Sequence, residues 1–69
     1  MKPGLYRHYK GNLYEVLHTA THSETDEQLV IYRALYGEYV LSARPLSMFT
    51  ETLDQNGCTL PRFKLEKAF

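Results

Sequence analysis

The sequence predicts an all-β domain, a small, partly open barrel of five to six short antiparallel strands. Turn-forming residues recur at short intervals along the chain, which is the rhythm of a β-barrel or sandwich rather than of helices. The segments between them are rich in Tyr, Leu and Val, residues that fit a pleated, half-buried surface. With 69 residues there is too little chain for a sandwich of two full sheets, and bending one sheet toward closure hides edges that would otherwise aggregate.

The strands follow in order. Lys10-Gly11-Asn12 separates Leu5–Tyr9 from Leu13–Thr19, and the pair reads as a first hairpin. Residues 20–27 lack apolar periodicity and form a polar, acidic connection. Leu29–Tyr36 is the strongest strand, and it carries a charged Arg33 between two tyrosines, unusual for a strand built only for packing. An amphipathic helix over Glu24–Leu35 competes, since Leu29, Tyr32 and Tyr36 share a helical face. The β-branched and aromatic run Val30-Ile31-Tyr32 and the missing N-cap weigh against it. Gly37-Glu38 reads as a two-residue type II′ turn into a returning strand, Tyr39–Ala43. Pro45 ends that strand, because it cannot donate to a ladder and holds Arg44 extended. Leu46–Phe49 follows as a short helical turn. Asn56-Gly57 links Thr50–Leu53 with Thr59–Leu65 in a last hairpin, which confines Pro61 to an edge or a strand start.

Composition places bounds on function. A single domain over residues 1–69 buries only about 60% of its unfolded surface, so stability is expected at roughly 3 to 10 kcal/mol. Apolar residues make up 43% and charged residues 23%, a balance that argues against disorder. No apolar run approaches the ~18 residues that a membrane span requires, and Met1-Lys2-Pro3-Gly4 opens no signal peptide. Cys58 is alone, so no disulfide framework exists and a cytoplasmic location is expected. The formal net charge of zero gives no overall field toward nucleic acid or membrane. Locally, Lys2, Arg7 and Lys10 near the start and Arg62, Lys64 and Lys67 near the end would form a basic patch if the two terminal segments are neighbours.

The blocks Tyr6-Arg7-His8-Tyr9-Lys10-Gly11, Tyr14-Glu15-Val16, His22-Ser23-Glu24-Thr25, Tyr32-Arg33-Ala34-Leu35-Tyr36-Gly37, Arg44-Pro45-Leu46 with Met48-Phe49, and Pro61-Arg62-Phe63 occur in this order over nearly the whole chain. In them the sequence resembles a bacterial domain-of-unknown-function family, number 1653, of short SH3-like barrel proteins. The resemblance implies an SH3-like fold and brings no established activity. Ser42 stands where the family pattern favours a large aromatic or apolar residue, and Lys64–Phe69 is peculiar to this chain.

Several constellations could carry chemistry. His18 and His22 have the spacing of two helical zinc ligands, but Thr19 occupies the position of the required Glu and the segment reads as strand and loop. No metal or cofactor is expected. Ser23 between His22 and Glu24 has the residue types of a hydrolase, yet sequence neighbours rarely reach nucleophile-base geometry, and Ser23 and Thr25 more simply satisfy backbone groups in a turn. Cys58 carries no sign of an activated thiol. The six tyrosines with Arg7, Arg33 and Arg44 are the strongest functional feature, because rings and guanidinium planes stack on bases, on proline-rich peptides or on one another. Their plainer role is to fill a small core, with Arg33 paired to Glu15 or Glu24.

The candidate binding residues are His8, Lys10, His22, Glu24, Tyr32, Arg33, Tyr36 and Arg44. The favoured function is a binding module that recognises a peptide or partner protein, with Tyr32 or Tyr36 stacking and Arg33 or Arg44 pairing a carboxylate. Single-stranded nucleic-acid binding through the basic residues and tyrosines is one alternative, less favoured at zero net charge. A small-molecule or hydrolytic site at His22, Glu24 and Arg33 is another, and the balance leans away from an enzyme. The chain is expected as a monomer or weak homodimer.

Overall fold

The computed structural model describes all 69 residues. Seven strands form, β1 Gly4–His8, β2 Leu13–Thr21, β3 Gln28–Ala34, β4 Leu41–Pro45, β5 Thr52–Gln55, β6 Cys58–Pro61 and β7 Phe63–Ala68, with one helical turn, α1 Leu46–Phe49, after β4. They make a five-stranded antiparallel sheet in the order β4-β3-β2-β1-β7 and a separate hairpin, β5-β6. The sheet does not close into a barrel, leaving β4 and β7 as its edges. No helix is long and apolar enough to cross a membrane.

The expected five to six strands become seven because Thr59–Leu65 is not continuous. β6 stops at Pro61, and Arg62 turns the chain out of the hairpin, its N–H donating to the Glu51 carbonyl at 3.0 Å. Pro61 thus sits on an edge, where its missing donor is harmless. Asn56 (φ 53°) and Gly57 (φ 80°) both adopt the left-handed region that a tight hairpin turn demands. The strand over Leu29–Ala34 excludes the helical alternative.

The two-residue turn expected at Gly37-Glu38 is instead a longer connection, Leu35 to Val40, and β4 starts at Leu41. Its geometry centres on Tyr39, which holds φ 55°, an unfavourable angle for a bulky side chain. Two bonds fix it: the Tyr39 N–H donates to the Tyr36 carbonyl at 3.1 Å, and Arg33 Nη1 donates to the Tyr39 carbonyl at 2.9 Å.

Strand alternation defines an inner face carrying Tyr6, Tyr14, Val16, Val30 and Tyr32. Leu17 is a bulge between Val16, opposite Tyr32, and His18, opposite Ile31; it bends β2 without turning the core outward. A second bulge at Glu66 lets Leu5 face Lys67 while Tyr6 faces Leu65. Phe49 of α1 closes the inner face. It is fully buried, stacks on Phe63 at 4.0 Å between centroids, and meets Tyr6 and Tyr32 edge-on. Only 7 of 69 residues are buried, so this small aromatic cluster carries most of the apolar stabilisation.

Candidate functional site

On the inner face the core gives way to a half-open cavity of about 340 Å³ at the Ala34 end of β3. Period-2 alternation brings its walls together from three strands: Tyr14 pairs with Ala34, Tyr32 with Ser42, and Val30 with Arg44. Tyr36 and Val40 of the β3–β4 loop form the rim.

The cavity is aromatic on one side and polar on the other. Tyr14 is the central ring, with Tyr32 at 5.6 Å and Tyr36 at 5.5 Å, both edge-to-face. The Tyr14 and Tyr36 hydroxyls share a 2.6 Å hydrogen bond. Facing them, the half-buried Arg44 has no hydrogen-bond or ion-pair partner; every internal guanidinium bond belongs to Arg7, Arg33 or Arg62.

Burial, then the hydrogen bond that the Tyr14 hydroxyl donates to Tyr36, push the pKa of Tyr14 up to about 12, while Arg44 pulls in the opposite direction. The unfolded chain ionises near the ordinary value of 10.0 and the folded chain later, so stability falls as pH rises from there toward about 12. Removing the hydroxyl bond by Tyr36→Phe should lower the ionisation of Tyr14, read by phenolate absorbance; an unchanged titration curve would mean the bond does not form.

His8 extends the aromatic wall, 6.3 Å from Tyr14 and 4.9 Å from Phe63. Its Nδ1 accepts the Lys10 N–H at 3.2 Å, which places the neutral ring's proton on Nε2. Burial, followed by the positive charges of Arg62, Lys10 and Arg44, holds His8 below the usual histidine range. Below its ordinary value of 6.5 the unfolded chain takes up a proton that the folded chain resists, so this contribution is present above that pH and is lost as pH falls through it. Urea midpoints at pH 5 and pH 7 should differ more for the wild type than for His8→Gln; equal differences would contradict the assignment.

The structure therefore gathers four of the eight candidate residues, His8, Tyr32, Tyr36 and Arg44, on one face. Lys10 lies beside them with Nζ 5.8 Å from the Tyr9 ring centroid. Arg33 alternates to the opposite face, across from Glu15 but ion-paired to neither Glu15 nor Glu24. His22 and Glu24 occupy the β2–β3 loop beyond Thr21 and Gln28, at the far end of β3 from the cavity. There the His22 N–H donates to the Glu27 carbonyl at 2.7 Å and its Nδ1 accepts the Glu24 N–H at 3.2 Å, so this histidine organises a turn. The hydrolytic or small-molecule site at His22, Glu24 and Arg33 is accordingly not assembled. No three His, Cys, Asp or Glu side chains gather to hold a metal ion.

Tyr14 and Ser42 belong to the cavity but were not among the eight candidates. Their signal was available, since pairing β2 and β4 against β3 puts both on the face of Tyr32. A second, shallower cavity of about 180 Å³ lies where β1 meets the β6–β7 segment, lined by Arg7, Tyr9, Leu60, Pro61 and Lys64 among others. The terminal strands are neighbours, with Arg7 opposite Lys64, but Glu66 binds Arg7 at 2.7 Å and offsets part of the basic patch.

Comparison with known proteins agrees with the architecture. The family model described as Protein of unknown function (DUF1653) matches residues 4–65. No curated protein matches the chain. A crystal structure of a DUF1653 protein from Bordetella bronchiseptica superposes with a TM-score of 0.88 at 39% identity, covering 100% of this chain and 91% of that one. Matched by the family model over residues 4–65 and 39% identical to a solved member over its whole length, the chain belongs to the DUF1653 family.

Proposed function

We propose that this protein is a small binding module that recognises a peptide or a segment of a partner protein at the inner-face cavity, with Arg44 pairing a carboxylate and the tyrosines stacking on the adjoining side chain. The observation that carries this reading is Arg44 itself: a half-buried guanidinium without an internal partner, set against three tyrosine rings. A charge left in that position costs desolvation that an incoming carboxylate would offset. An SH3-like architecture fits the reading, since four strands meander and the last returns beside the first. The free, exposed Cys58 fits a cytoplasmic home.

Calorimetric titration with acidic and neutral extended peptides tests it. Acidic peptides should bind, and Arg44→Gln should weaken them by about 10- to 100-fold, the worth of a charge-assisted hydrogen bond. Equal affinity for acidic and neutral peptides, or for wild type and variant, would remove Arg44 from the site.

A second reading has a narrower basis. Lys10 over the exposed ring of Tyr9, which lines a cavity together with Lys64, could bind a single-stranded oligonucleotide. That binding would weaken steeply with salt, and insensitivity to salt would exclude it.

A further inference from the structure

β4 is hydrogen-bonded on one side only. The Ala34 N–H donates to the Val40 carbonyl at 3.1 Å, and Tyr32 pairs with Ser42 two residues along. Antiparallel alternation then directs the N–H and C=O groups of Val40, Ser42 and Arg44 toward β3, and those of Leu41 and Ala43 outward. Its protections are few: it has no bulge, its one inward-pointing charge is Arg44, and its one proline, Pro45, lies at the end. Tyr39, Val40 and Leu41 beside it are more than half exposed, at 56%, 56% and 52%.

We infer that the β4 edge captures an extended segment of a partner protein as an added strand, with an acidic residue of that segment placed over Arg44. This rests on the peptide reading above and gives it a backbone geometry. The outward groups of Leu41 and Ala43 bond the incoming backbone, and the alternation that aims Ser42 and Arg44 inward aims the partner's matching side chains at the tyrosine-walled cavity. Charge selects the occupant. A second copy pairing through the same edge brings the sequence Leu-Ser-Ala-Arg-Pro, which has no acid, and leaves two Arg44 side chains unmatched on one face. Glu38 lines the same cavity but forms no ion pair with Arg44, so an acidic segment supplies the missing partner.

The test uses the capped pentapeptide Ac-Thr-Val-Glu-Val-Thr-NH2 and two N-methylated forms, one blocked at the odd and one at the even backbone nitrogens. Binding is followed by amide NMR on the full chain. The parent should slow exchange at the Leu41 and Ala43 amides, one methylated form should lose about tenfold or more in affinity, and the other should bind like the parent. Ala43→Pro removes an outward donor without touching the β3 ladder, and it should produce a comparable loss. If the parent perturbs the cavity while both methylated forms bind equally well, strand addition is wrong and the cavity reading stands. Absence of binding by the parent overturns both. Protection of Leu41 and Ala43 that grows with protein concentration without peptide identifies a second copy as the occupant and overturns the inference.

Discussion

Replacing Phe49 by Ala is expected to leave the protein largely unfolded at room temperature. The ring is fully buried, lies parallel to Phe63 within 4° at 4.0 Å, and takes edge contacts from Tyr6 and Tyr32. Truncating a buried Phe costs about 3–5 kcal/mol, through lost transfer energy and the cavity left behind. A domain of this size has roughly 3 to 10 kcal/mol in total. With only seven residues buried the total lies toward the lower end of that range, so the substitution consumes most of it, and the three rings around Phe49 have no second layer that could collapse into the gap. Phe49→Leu keeps most of the apolar volume and should unfold at a urea concentration between wild type and Phe49→Ala. A Phe49→Ala variant with a wild-type midpoint would mean that α1 does not close the inner face.

Gly4→Ala is the second large effect, and it acts through backbone. Gly4 is buried where β1 passes β7, and a Cβ there would fall directly against the Lys67 carbonyl oxygen and touch the Ala68 Cα. Neither atom can move away by rotating a side chain, so the strands must separate. Overpacking of this kind costs about 1–3 kcal/mol, and the upper part of that range applies where backbone must shift. The urea midpoint should fall while the slope stays constant, since one methyl group barely changes the surface exposed on unfolding. The β1–β7 pairing that brings Arg7 opposite Lys64 should loosen with it, seen as faster amide exchange in β7. An unchanged midpoint would show that β7 does not approach β1 this closely.

Much of the fold was legible because its signals are local. Asn56-Gly57 demanded a hairpin, Pro45 ended β4, and the β-branched run through Tyr32 made β3 a strand. The misread places depend on contacts that no local pattern carries. The β3–β4 connection is set by the Arg33 guanidinium holding the Tyr39 carbonyl, a bond across six positions that keeps Tyr39 at φ 55° against its preference. The split of Thr59–Leu65 depends on the Arg62 N–H reaching the Glu51 carbonyl and on Arg62 Nη2 donating to Glu51 Oε1 at 2.8 Å.

The candidate site divides along the same line. Tyr32, Tyr36 and Arg44 could be chosen for residue type, but only strand register separates Arg44 from Arg33. Arg33 adjoins Tyr32 and Arg44 follows the Tyr39–Ala43 segment, and both were equally plausible carboxylate partners. Pairing Val30 with Arg44 puts that side chain on the inner face, whereas pairing Glu15 with Arg33 puts the other outside, where its charge serves the loop. His22 and Glu24 stood close to Arg33 in sequence, yet the length of β3 separates their loop from the cavity. The small buried core also explains why six tyrosines do not all pack inside: Tyr6 and Tyr32 are buried, while Tyr9, Tyr36 and Tyr39 face solvent.

The most direct test of the account is the Arg44 side-chain Nε–H resonance, followed while an acidic extended peptide and its neutral glutamine counterpart are added in turn. A saturable downfield shift is expected with the acidic peptide, as a carboxylate accepts that hydrogen bond, and little change with the neutral one. An Arg44 signal that stays fixed while peptide binds elsewhere would contradict it.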